Sequence, residues 1–211
     1  MRNTTIAIVA FVLAIYGSSF GQQVAMGDDE AKLMAREALA VYLDLVQRTG
    51  VPKELSVLDD YKELEFGKPY RVFIVHAAMV DAKSSLEILG RDYGVIWIPV
   101  YHSGDPWAEL ELHFVDGVWI PGRFGVANDL KRLKSLLEST KNEYRTGLMH
   151  SAYMVKIPEI GLKAVVIEAE GSRRVFPLSE ILVGSSRLPS GGLEEREFLE
   201  SAREKIKQMR Q

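Results

Sequence analysis

The sequence predicts an exported α+β protein in which antiparallel sheet meanders are packed by amphipathic helices. Three observations carry that prediction. Apolar residues recur at helical spacing in three separate segments, whereas two intervening blocks alternate with a period of two. Two-residue and glycine-bearing turns join the alternating runs. The N-terminus has the layered composition of a secretory signal.

That N-terminal stretch, MRNTTIAIVAFVLAIYGSSFGQQ, places one positive charge at Arg2 before an apolar run from Ile6 to Tyr16. The small residues Ser19 and Gly21 then flank Phe20 where signal peptidase requires short side chains, so cleavage is expected after Gly21. At a rise of about 1.5 Å per residue the apolar run covers roughly half of a bilayer core, too little for a transmembrane helix. A secreted or periplasmic location is therefore expected, with no membrane span after signal cleavage. The chain has no cysteine, which removes disulfides, thiolate metal ligands, a cysteine nucleophile and a lipidated cysteine from consideration. Small exported eukaryotic domains are commonly disulfide-stapled, so a cysteine-free exported chain fits a bacterial origin better.

With 211 residues, 47% of them hydrophobic, the chain can bury a substantial core. A net charge of −3 gives no basic footprint for nucleic acid. The expected divisions are a signal peptide (1–21), a helix–meander–helix unit (28–140), and a second β block with a C-terminal helix (141–211), the last two compatible with a single domain.

The first helix opens at Asp28, expected as its N-cap, with further acids in the first turn where the helix dipole favours them. Ala35, Leu39, Tyr42 and Val46 form its apolar stripe, and Gly50 with Pro52 stops it. The run YRVFIVHA (Tyr70–Ala77) reads as a strand entered through Gly67-Lys68-Pro69, and residues 81–92 are ambiguous between loop and short helix. Tyr93–His102, Trp107–Val115 and Val118–Phe124 read as a three-stranded meander, with Asp116-Gly117 as a hairpin turn. Asn128 is expected to cap a second helix buried through Leu130, Leu133 and Leu137, with Lys131, Arg132 and Lys134 solvated. The polar linker KNEYRTG leads to strands near Leu148–Ile157, Leu162–Ala169 and Arg173–Pro177. The flexible connector GSSRLPSGG precedes a last helix whose buried face is Leu199, Ala202, Ile206 and Met209. An echo between the Ile-Pro-bearing hairpins of the two β blocks is compatible with two related units.

The densest polar stretch, YHSGDPWAELELHFVDGVWIP, raises the question of a metal or acid/base site. Strand alternation splits it. For Ile96, Ile98 and Val100 to share a face with Leu110, the first hairpin needs an odd-length loop, which Gly104-Asp105-Pro106 supplies with His102 opposite Ala108. His102 and His113 then point to opposite sides. The polar face keeps Glu109, Glu111 and His113 beside Trp97, Tyr101 and Ile120. Either the second β block covers these rings, or they form a binding surface with carboxylates at its rim.

Catalytic signatures are absent: no Gly-x-Ser-x-Gly, no His-Glu-x-x-His, no phosphate-binding glycine loop and no dinucleotide fingerprint. The functional expectation is an exported non-enzymatic binding or accessory protein without a cofactor. It would engage a protein, peptide or envelope component through a sheet face or edge, using Trp97, Tyr101, Glu109, Glu111 and His113. One alternative is a metal-dependent hydrolase with Glu111 and His113 as two ligands, His76 or His150 supplying a third by elimination. Another is a structural protein that self-assembles.

The segment Phe66–Leu133, through GKPYRVF (Gly67–Phe73), WIPVY (Trp97–Tyr101), DGVW (Asp116–Trp119) and Gly125 before Leu130 and Leu133, resembles a group of secreted bacterial proteins of uncharacterised activity. That resemblance implies export and an α+β fold, and it implies no functional residues. The order of helix then meander is also loosely similar to the cystatins, in fold alone.

Overall fold

A computed structural model describes residues 26–49, 63–80, 85–86, 90–138, 152–169, 171–179 and 192–210. The expected signal peptide, the Gly50–Pro52 stop, the KNEYRTG linker, most of the GSSRLPSGG connector, His150 and the side chain of Val46 lie outside the described residues.

The described residues form three helices and eight strands in the order α1 (Asp28–Thr49), β1 (Leu64–Phe66), β2 (Tyr70–Ile74), β3 (Arg91–His102), β4 (Asp105–Val115), β5 (Val118–Val126), α2 (Asn128–Glu138), β6 (Ala152–Ile157), β7 (Leu162–Ala169), β8 (Ser172–Pro177) and α3 (Glu195–Met209). The α+β expectation holds. The strands form one sheet in the order β5-β4-β3-β2-β6-β7-β8, with β1 also paired to β3. Every pairing is antiparallel except β2 with β6, so the two β blocks are fused through a parallel seam. A parallel pair requires a crossover connection, and the chain between β5 and β6 carries α2.

β1 and β2 are one broken strand along a single edge of β3. They are interrupted at Gly67-Lys68-Pro69, where the Gly67 N–H still donates to the Pro99 carbonyl at 2.9 Å.

The helices divide between the two faces. α1 packs Ala31, Ala35, Ala38, Leu39 and Leu43 on Ile96, Ile98 and Val100 of β3 and Ala108, Leu110 and Leu112 of β4. Its buried alanines let the helix backbone approach the sheet closely. α3 covers the other half of that face, setting Phe198, Leu199, Ala202 and Ile206 against Val155, Ile157, Ala164, Val166 and Val175. α2 lies on the opposite face. Its Leu130, Leu133 and Leu137 pack over Trp97, Tyr70, Val72, Met154, Val165, Ile167 and Phe176, residues drawn from both β blocks. Each buried leucine contributes roughly 1.5–3 kcal/mol, so α2 clamps the seam. A single helix on a single meander does not describe this arrangement.

Several local expectations are corrected. The first hairpin turns on two residues, Ser103 (φ 50) and Gly104 (φ 78), with His102 opposite Asp105 rather than Ala108. The odd residue needed to align the apolar faces is a bulge at Trp107, since Val100 pairs with Ala108 while Tyr101 pairs with Pro106. Parity is the same, so His102 and His113 do face opposite ways. Gly27 and Ala127, not Asp28 and Asn128, accept the first helical hydrogen bonds of α1 and α2. β2 ends at Ile74. On α3, Met209 is 61% exposed and Phe198 takes a buried place that the stripe reading omitted. The second hairpin turn is as expected, with both Asp116 and Gly117 at positive φ.

Candidate functional site

β4 aims Glu109, Glu111 and His113 at the α2 face, opposite Pro99, Trp97 and Val95 of β3. What each meets there differs. Trp97 is 1% exposed and lies in the core beneath α2, so it is no surface anchor. Its cover comes from α2 together with β2 and the second β block. Tyr101 is half-buried, its ring standing over Gly67, where an added Cβ would come within 2.8 Å of Tyr101 Cε2.

Glu109 is buried and binds upward into the helix. It accepts a hydrogen bond from the Leu130 N–H at 3.0 Å and another from Trp97 Nε1 at 3.3 Å. A strand carboxylate thus supplies the cap assigned by sequence to Asn128, where the helix dipole favours negative charge. Beside it, Asp129 is ion-paired with Lys163 of β7 at 2.5 Å. Burial pushes the Glu109 carboxyl up and the Asp129 charge adds to it; the Leu130 N–H, Lys163 and Trp97 pull it partly back, to about 7.

Glu111 is also buried, but two cations and an imidazole flank it. Lys156 Nζ of β6 lies 2.6 Å from Oε1, Arg123 of β5 lies 3.9 Å from Oε1, and His113 Nε2 lies 3.5 Å from Oε2. Burial pushes this carboxyl up as well, but the His113 contact, Lys156 and Arg123 outweigh it and bring it down to about 2. The His113 ring is pressed on the backbone of β5, where a Cβ at Gly122 would fall 2.4 Å from Cδ2.

Glu111 and His113 therefore do meet, as expected of residues two apart on one strand, but in a form that does not suit a metal. A divalent cation would have to displace the Lys156 ammonium and tolerate Arg123. His76 is engaged elsewhere, by Glu159 and Tyr93, each at 3.0 Å. Among the described residues no group of three histidine, aspartate or glutamate side chains converges. The partners Lys156, Arg123 and Lys163 were not legible as such: Lys156 is 45 residues from Glu111 and nothing in its neighbourhood marks it.

The sheet edges are also obstructed. β5 carries Pro121, which lacks an N–H, and a register shift against β4; the Gly122 carbonyl accepts from Tyr42 of α1 at 2.8 Å. β8 is bridged by Leu193 at Val175.

A cleft remains open at the far end of the meander, between the start of α1 and the β3–β5 strands, with about 70 Å³ of space. Met26, Phe114 and Trp119 give it apolar walls; Asp28, Arg71 and Asp92 give it charge. Phe114 and Trp119 pack with ring centroids 5.2 Å apart, and Arg71 pairs with Asp92 at 3.6 Å while staying half-exposed. Among the described residues, no helix is long and apolar enough to cross a membrane. Comparison with family models, curated proteins and solved structures finds no match to this chain.

Proposed function

We propose that the protein is an exported, non-enzymatic binding or accessory protein that engages a peptide or protein segment at the Asp28–Arg71–Trp119 cleft. The observation that carries this reading is the combination of an aromatic wall with an accessible guanidinium and two carboxylates in one recess. Such a recess takes an apolar side chain while its rim orients the partner's polar groups. The β4 face supports no rival surface, because Trp97, Glu109 and Glu111 lie beneath α2 or inside ion pairs. Export rests on the N-terminal sequence, read above. A photo-crosslinking residue at position 71, compared with one at the equally exposed Glu200 of α3, tests the site in intact cells. A discrete adduct from position 71 alone is expected. Identical adducts from both positions, or none from either, would refute the assignment.

A further inference from the structure

A second constellation uses side chains that do not line the cleft, although one of them, Tyr93, stands between the cleft residues Asp92 and Gly94 on β3. It forms where the chain after β2, the start of β3 and the 3-10 turn after β6 (Pro158–Ile160) come together. His76 Nδ1 is 3.0 Å from Glu159 Oε1, and His76 Nε2 is 3.0 Å from Tyr93 Oη. Carboxylate, imidazole and phenol thus stand in a row, the two rings meeting edge-on at 6.1 Å. The carboxylate is anchored. Its own backbone N–H, followed by the His76 ring and the Ala77 N–H, holds Glu159 below the usual carboxylate range against the opposing effect of burial. An anchored acceptor at Nδ1 selects the tautomer whose N–H lies on that side and leaves the Nε2 lone pair facing the phenol. The row is open to solvent: the side chains of His76 and Glu159 are 48% and 44% exposed, and Tyr93 is 51% exposed. Nucleophile, base and orienting acid in hydrogen-bond succession are the arrangement that activates a weak hydroxyl nucleophile.

We propose that Tyr93 is a covalent acceptor site, taking an acyl group from an activated ester, with His76 as general base and Glu159 as positioning residue. The Tyr93 oxygen attacks the ester carbonyl carbon while His76 Nε2 takes the phenolic proton. The bond from that carbon to the leaving aryloxide then breaks, the aryloxide departs with the electron pair, and the imidazolium returns its proton to solvent. No redox change or further reactant is involved. This site shares no side chain with the cleft lining, and the two assignments are tested by separate readouts.

The test treats the full chain with p-nitrophenyl acetate and locates acetyl groups by peptide mass spectrometry over time. Tyr93 should be acetylated about a hundredfold faster than the other tyrosines. His76→Gln should slow it about a hundredfold, within the span of general-base catalysis, and change the shape of its pH–rate profile. Glu159→Gln should slow it less, and Glu159→Asp should restore part of the loss. Acetylation of Tyr93 at the rate of the other tyrosines, or an unchanged rate and pH profile in His76→Gln, would overturn the proposal.

Discussion

Glu109 and Glu111 stand two residues apart on one face of one strand, both buried, yet their surroundings drive them in opposite directions. Around Glu109 the donors are the Leu130 N–H and an indole N–H, and the charge that acts on it most strongly, Asp129, has the same sign. Around Glu111 the Lys156 ammonium donates at 2.6 Å, with the Arg123 guanidinium and the His113 imidazole farther off at 3.9 and 3.5 Å. Burial raises both carboxyls, so burial alone decides nothing. The sign of the neighbours does. One strand face thus holds a carboxyl near neutrality, joined to the helix that covers it, and a fixed anion joined to cations of β5 and β6.

The largest predicted effect breaks the Glu111 side. Lys156→Met removes the closest cation and strands a buried carboxylate, which should cost about 3–5 kcal/mol, read from the midpoint of urea unfolding. Loss of less than about 1 kcal/mol would mean that solvent already reaches Glu111.

A smaller effect sharpens the contrast by pH. The Glu109 carboxyl titrates at about 7 in the fold against an ordinary 4.5, so the folded state holds this proton more tightly than the unfolded chain. Its contribution is fully present below about 4.5 and is lost as the pH rises through about 7. Glu111, at about 2, contributes stability that is present above about 4.5 and lost as the pH falls towards 2. Glu109→Gln should flatten stability between pH 5 and 7.5, a difference on the order of 2 kcal/mol across that window, and leave the acid limb intact. A variant with the wild-type slope above pH 5 would contradict the assignment. Smallest of all is the exposed Asp105–Lys134 pair, 2.8 Å apart at the rim of the same strand: Asp105→Asn should leave the unfolding midpoint unchanged within error.

These contrasts mark where sequence reading ends. The faces of β3 and β4 follow from alternation, and the α2 leucines follow from helical spacing, because both patterns are local. A parity argument demanded one extra residue in the first hairpin but could not say whether a three-residue loop or a bulge would supply it. The structure places it at Trp107. The α2 cap shows the same limit: Asn128 has the right chemistry in the right place, but the Leu130 N–H is taken by Glu109, from a strand 21 residues before it. Glu109, Glu111 and His113 do share a face, as read. Their partners Lys163, Lys156 and Arg123 are brought by other strands, and the cover over Trp97 needs the seam to exist first.

That seam has a consequence for how the chain assembles. Val72, Phe73 and Ile74 meet Met154, Val155 and Lys156 across about eighty intervening residues, whereas the β3–β4–β5 and β6–β7–β8 meanders close over short turns. Loop-closure entropy delays such remote encounters relative to local ones. Each meander can close locally, and the three rungs between them, with α2 folded down across the join, are expected to form last.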